Sequence, residues 1–303
     1  MFKPLLLSLF LAVPLAAVSA DEGFSPKPVT LDAPEGVYIE ETPAFAFSPD
    51  GSEFYVFNRG AHALLVFDGD GNFLREIGQG LFEVPHGLRV DEDGNIWTAD
   101  TGNHLVLKFA PSGEVLMVLG KRGTGSPGWF DRDYNQVFLN KPSDIAFDSD
   151  GNIYVADGGN FRIVKYSKTG DTVEFFGEKG SEPGQFNFPH SLIVDENGRL
   201  LVADRENKRI QIFNLDGKYQ GEWNDIGHPY VLAQGKGGTF WMTDARVDQL
   251  VKLSKDGKVL DRFGGPGKSL GKYGFLHGVL QHKGSVYVSD ILNWKVEELV
   301  KKR

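Results

Sequence analysis

The sequence predicts an all-β fold, a six-bladed β-propeller. Three observations predict it: one unit recurs along the chain, its turns carry hairpin chemistry, and its strand ends fall into register. Five stretches share a pattern of an opening residue, a variable residue, a short apolar strand, a Gly turn, an apolar strand ending in Asp, and a more polar strand. They begin at Pro85, Pro142, Pro189, Pro229 and Leu276, and a degenerate sixth begins at Pro43. Fixed-period self-similarity of about 40–57 residues with three or four strands per unit is the signature of propeller blades.

The turns read "DEDGN", "DSDGN", "DENGR" and "KDGK", which suits tight hairpins. The strands are rich in Val, Ile, Phe and Tyr, without a long helical period. The second strands end at Asn58, Asp100, Asp157, Asp204, Asp244 and Asp290, and these acids are expected to bond turn amides within each blade. The last unit stops after its third strand, so its outer strand is expected from the N-terminus, near "KPVTLD". That pairing closes the ring and removes a free sheet edge. Residues 121–141 form an insertion between blades two and three, either a lid over one channel mouth or a tolerated surface loop.

Residues 1–20 read as a secretory signal peptide: Lys3, an apolar run, then "VSA" before Asp21. Residues 21–303 are then a single propeller domain, without a membrane span once the signal is removed. The chain has 303 residues, 41% hydrophobic, and no cysteine. An exported chain without disulfides suits a bacterial periplasm, with secretion the other expectation. The net charge is −9, one unit more negative once Lys3 is lost. Without a long basic run, nucleic acid is excluded as a partner.

The residue after each opening position is Ala44, His86, Ser143, His190, Tyr230 and His277 in blades one to six. Histidines thus occupy alternate blades, about 120° apart around one axis, on the strand that lines a propeller's channel. Three imidazoles converging at one height are the geometry of a three-histidine metal site with an open position, zinc first among candidates. Within-strand hydrogen bonding is the alternative for each. The other histidines (62, 104, 228 and 282) fall out of phase and read as loop or surface residues. Antiparallel pairing sets the end of strand two beside the start of strand one. Arg59 and Arg205, just after the aligned Asn58 and Asp204, therefore flank the histidine mouth. Such a pair can clamp a carboxylate or stabilise an oxyanion, or form blade-to-blade salt bridges.

The repeats "DGNIYVADGGNFRIVKY" and "NGRLLVADRENKRIQIF" are similar to NHL repeats. "VPHGL", "NKPSDIAFDSDGNIYVADG", "EPGQFNFPHSL" and "VADRENKRIQIF" resemble the peptidyl-α-hydroxyglycine α-amidating lyase family over nearly the whole mature chain, most sharply over residues 82–213. The resemblance implies a six-bladed propeller with zinc in its channel, cleaving peptidyl-α-hydroxyglycine to a peptide amide and glyoxylate. It implies His86, His190 and His277 as zinc ligands, Arg59 meeting the substrate carboxylate, and Arg205 as a second active-site arginine. Two departures matter. The family's blade-three tyrosine is absent from Asp157-Gly158-Gly159-Asn160, which leaves Tyr230 in the ring, or Tyr134 in the insertion, as candidate replacements. The family's calcium-binding aspartate after the third histidine is Gly278 here, which puts calcium in question.

Two functions follow as expectations. One is a zinc-dependent lyase with a peptide or small-molecule substrate in the central channel. The other is a non-catalytic propeller binding a protein or small ligand. A calcium-dependent hydrolase would need convergent carboxylate and amide oxygens, whereas this ring is imidazole-rich.

Overall fold

A computed structural model describes residues 23–125, 130–131 and 136–302. It begins with strand β1 (Phe24–Pro28). Blade one is β2 (Glu41–Phe47), β3 (Glu53–Arg59), β4 (Leu64–Asp68) and β5 (Phe73–Ile77). Blade two is β6 (Pro85–Val90), β7 (Ile96–Asp100), β8 (Leu105–Phe109) and β9 (Val115–Gly120). A two-stranded ladder, β10 (Phe130–Asp131) with β11 (Gln136–Val137), lies in the insertion. Blade three is β12 (Pro142–Phe147), β13 (Ile153–Asp157), β14 (Arg162–Tyr166) and β15 (Thr172–Phe176). Blade four is β16 (Pro189–Val194), β17 (Leu200–Asp204), β18 (Arg209–Phe213) and β19 (Tyr219–Trp223). Blade five is β20 (Leu232–Gln234), β21 (Phe240–Asp244), β22 (Gln249–Leu253) and β23 (Val259–Gly264). Blade six is β24 (Leu276–His282), β25 (Ser285–Asp290) and β26 (Lys295–Lys301). The fold is the predicted six-bladed propeller. Among the described residues, no helix is long and apolar enough to cross a membrane.

β1 completes blade six by pairing antiparallel with β26, Phe24 opposite Lys301 and Pro28 opposite Glu297. The closing strand therefore begins upstream of the expected "KPVTLD". Pro26 and Pro28 look strand-breaking in sequence, but β1 is an edge strand, where a missing N–H on the solvent side costs no ladder bond. Residues further on turn away to blade one, where Asp32 N donates to Gly71 O and Phe73 N to Asp32 O.

The Asp-rich turns form as the chemistry dictates. Asp91, Asp148 and Asp195 each accept the backbone N–H four residues on, at 2.8–2.9 Å, and Gly94, Gly151 and Gly198 take the positive φ at each turn. "KDGK" falls instead between β22 and β23. The aligned acids work as expected. Asp100 accepts the N–H of Glu83 and Val84, Asp157 that of Asn140, Asp204 that of Asn187, and Asp290 those of Gly274 and Phe275. Each acid thus fixes the approach of the chain to its own first strand.

Apolar side chains fill the spaces between neighbouring blades. Tyr55, Phe57 and Phe109 pack between blades one and two, Trp97 and Tyr166 between two and three, and Trp223 and Phe240 between four and five. Phe45, Phe54 and Val296 pack blade six against blade one across the closure. Val137 and Leu139, from the end of the insertion, are fully buried in the second of these clusters. The signal peptide and Tyr134 lie outside the described residues.

Candidate metal centre

The first two strands pair as the alignment requires, Pro85 opposite Asp100, Pro142 opposite Asp157 and Pro189 opposite Asp204. The register then slips by one residue, so that His86, Ser143 and His190 each sit on a bulge between Pro85/Gly87, Pro142/Asp144 and Pro189/Ser191. His277 lies within the same irregularity, between Leu276 and Val279. A bulge re-aims a side chain that would otherwise follow the pleat. Proline suits the position before it, since it has no N–H to leave unpaired.

The bulges bring three imidazoles together. Ring centroids are 4.7 Å apart for His86 and His190, 5.0 Å for His86 and His277, and 5.2 Å for His190 and His277. One nitrogen from each lies within 4.8 Å of the others. Nδ1 of each is 2.7–2.8 Å from a backbone carbonyl of the next blade: His86 with Ser143 O, His190 with Tyr230 O, His277 with Pro43 O. A carbonyl only accepts, so every Nδ1 carries the proton and every Nε2 keeps its lone pair. That is the tautomer a metal-ligating histidine takes when its second nitrogen is anchored.

Burial is the largest cause keeping these rings neutral. It pushes His86 and His190 well below the ordinary 6.5, and His277 down to about 3. The charges of Arg59 and Arg205 push His86 and His277 further down, and Arg205 does the same to His190. Three neutral imidazoles with free Nε2 atoms fit zinc by donor type and number. The residues do not extend to the family's calcium site. A Cβ on Gly278 would lie 2.5 Å from Ser289 Oγ and 3.0 Å from Pro43 O, so no carboxylate fits there on this backbone.

Arg59 donates from Nε to Pro85 O at 2.9 Å, the carbonyl just before His86, and stands 3.5 Å from Glu41. Arg205 donates from Nε to Glu206 at 2.7 Å. Its guanidinium is layered between the rings of Phe188, at 4.6 Å, and Tyr230, at 5.1 Å. Phe188 takes a left-handed φ of 67°, which is costly for a bulky residue. Tyr230 is buried, with its ring 5.2 Å from that of His190 and 6.1 Å from that of His277. A single 3-10 turn, Gly158–Asn160, occupies blade three where the tyrosine is missing.

The four remaining histidines stand apart from this cluster: His62 pairs with Glu76, and His282 stacks on Phe47. Sequence reasoning missed Phe188, Phe275, which stacks on His277 at 6.1 Å, and Asp144. The signal for Asp144 was its place directly after a ring position.

The family model for the NHL repeat matches residues 82–109, 139–166 and 186–213, in blades two, three and four. Human NHL repeat-containing protein 3 is 35% identical over 184 residues, 56% of this chain and 51% of that protein. A Caenorhabditis elegans protein named as a probable peptidyl-α-hydroxyglycine α-amidating lyase is 38% identical over 144 residues, 46% of this chain and 39% of that protein. The chain thus spans about half, or less, of the length of these curated relatives. A streptogramin B lyase structure superposes with a TM-score of 0.66 at 16% identity, covering 92% of this chain and 98% of that one, a likeness of fold alone. The repeats, the closed ring of blades and these relatives agree: the chain is a six-bladed NHL-repeat propeller that resembles the peptidyl-α-hydroxyglycine α-amidating lyases.

Proposed function

We propose that this chain is an exported zinc-dependent carbon–nitrogen lyase, acting on a peptidyl-α-hydroxyglycine or a related N-acyl carbinolamine and releasing an amide and the matching carbonyl compound, glyoxylate in the case of the peptide. The observation that carries the reading is the convergence of His86, His190 and His277, each with Nδ1 anchored and Nε2 free. Zinc in such a site supplies a Lewis acid that lowers the pKa of a bound oxygen.

The chain's own residues have separate tasks. The histidines present three neutral ligand atoms. Arg205, with Nε held by Glu206 and its plane fixed between Phe188 and Tyr230, keeps its terminal nitrogens for a substrate carboxylate or a developing oxyanion. Arg59, tethered to Pro85 O, is the second anchor. The reaction removes the hydroxyl proton, breaks the C–N bond as the carbonyl forms, and returns a proton to the amide nitrogen. Tyr230 is the ring side chain assigned to carry that proton. Calcium has no part in this reading.

The test is zinc content of the purified mature protein by mass spectrometry beside His190→Ala, followed by glyoxylate release from an α-hydroxyglycine peptide. Near-stoichiometric zinc lost in the variant, with turnover that falls in Arg205→Ala, is expected. Wild-type protein that takes up no transition metal when zinc is supplied overturns the reading. The second reading, a non-catalytic NHL propeller that binds a protein or small ligand, draws on the missing blade-three tyrosine. Stoichiometric zinc without glyoxylate release favours it.

A further inference from the structure

Blade three supplies no histidine, yet its first strand touches the strands that carry two of them. Ser143, in the ring position, offers its carbonyl to His86 Nδ1 at 2.8 Å and donates its hydroxyl to Pro189 O, just before His190, at 3.1 Å. The next residue, Asp144, is 4% exposed. Its Oδ2 accepts Arg89 Nη2 at 2.6 Å, Ser191 Oγ at 2.6 Å and Leu192 N at 3.3 Å, and its Oδ1 accepts Ile145 N at 2.9 Å. Arg89 follows His86 by three residues, and Ser191 follows His190 directly. Arg89 Nε also donates to Ile145 O at 3.2 Å, and Ser191 Oγ accepts Leu232 N from blade five at 3.1 Å. One carboxylate therefore joins the two histidine strands across the blade between them, and the bonds run on to blade five.

The approach is close. A Cβ on Gly87 would stand 2.6 Å from Ser143 O and 3.0 Å from Asp144 Cα, so glycine is required beside His86. Arg89 and Asp144 also line, with the three histidines, one pocket at the channel. Such a pair is an expensive way to join blades. Desolvation raises the pKa of Asp144 in spite of the Arg89 charge, and a well-packed apolar pair commonly serves stability as well or better. Apolar contacts are non-directional, however. An Asp with four bonds fixes where Ser143 O and Ser191 stand, and so where His86 and His190 point.

We propose that Asp144, held by Arg89, is a positioning residue for the metal centre that sets the spacing between His86 and His190 across the histidine-free third blade. This rests on the zinc-centre reading above.

The test uses the full mature chain as the double variant Arg89→Met/Asp144→Leu, with Asp144→Asn and Arg89→Lys beside it. Three quantities are read: thermal midpoint of the metal-free protein, zinc affinity by chelator competition, and the visible absorption of the cobalt(II)-loaded protein. The double variant is expected to keep or raise its midpoint, to lose about tenfold or more in zinc affinity, the scale of outer-shell changes, and to show a shifted cobalt spectrum. Asp144→Asn is expected to do the same to metal binding, and Arg89→Lys to restore most of it. A folded double variant with wild-type affinity and spectrum overturns the proposal. If the double variant does not fold, Asp144→Asn decides alone: an unshifted cobalt spectrum with only a lower midpoint makes the network a plain blade clasp. Wild-type protein that binds no metal would sink the zinc centre itself, and this proposal with it. Wild-type binding matched by the variants sinks only the positioning role.

Discussion

Replacing Asp100 with alanine isolates what the aligned acids contribute. Asp100 is 1% exposed and accepts five hydrogen bonds: Glu83 N at 2.7 Å, Val84 N at 2.9 Å, Gly102 N at 2.9 Å, Asn103 N at 3.1 Å and Asn103 Nδ2 at 2.9 Å. Alanine leaves four backbone donors without their acceptor. Glu83 is exposed and Gly102 half-buried, so water can reach those amides. Val84 is half-buried like Gly102, whereas Asn103 is buried, and an orphaned buried donor costs about 1–3 kcal/mol. One such donor gives about 2 kcal/mol, or a midpoint lower by about 3 °C for a chain of this size. Because the Val84 amide lies two residues before His86, zinc affinity should fall as well. Urea titration of wild type and Asp100→Ala, with chelator competition on both, makes the measurement. A loss below about 1 kcal/mol with unchanged zinc affinity would refute the idea that this acid sets the chain's entry to the histidine ring.

Two further outcomes follow from the outer parts of the blades. Arg75 holds the Glu53 carboxyl below its ordinary 4.5 through bonds of 2.6 and 2.8 Å, aided by the Tyr55 hydroxyl and opposed by burial. A depressed folded value gives stability that is present above pH 4.5 and lost as pH falls through the folded value, so Glu53→Gln should flatten the stability profile below pH 4.5, and parallel urea-midpoint profiles would contradict it. The outer strand β9, "VLMVLG", carries neither charge nor proline and exposes Val115, Leu116 and Val118; Leu116→Lys should leave stability within about 0.5 kcal/mol and lower aggregation measured by light scattering, and unchanged scattering would count against β9 as the adhesive edge.

The phase of the site was legible because two markers bracket the first and second strands of blades two, three and four. The opening proline and the closing acid face one another across the ladder, Pro85 with Asp100 and Pro189 with Asp204, so counting one residue from the proline finds the channel. The bulges were not legible, because a bulge is a slip between two strands and leaves no fixed mark in either. Nor were the carbonyl partners. Ser143 and Tyr230 were aligned as side chains, whereas it is their backbone oxygens that hold His86 and His190, from 57 and 40 residues away. The Phe188–Arg205–Tyr230 layering was hidden for a related reason: it joins blades four and five through ring faces, which no spacing rule records. The closing strand begins three residues before the expected "KPVTLD", because its start is set by pairing with β26 at the far end of the chain, which no local pattern records.

The alternation of histidines has a consequence beyond threefold spacing. Blades two, four and six give the imidazoles, and blades three, five and one give the carbonyls that orient them, so all six blades take part in one site. One of these bonds differs in kind. His277 donates to Pro43 O from blade six to blade one, across 234 residues of chain, at the seam that β1 closes by pairing with β26. The other two join blades that are neighbours in sequence. The third spans the closure, where Phe45, Phe54 and Val296 also pack blade six against blade one. Completion of the histidine cluster and closure of the ring therefore rest on the same contact between the last blade and the first.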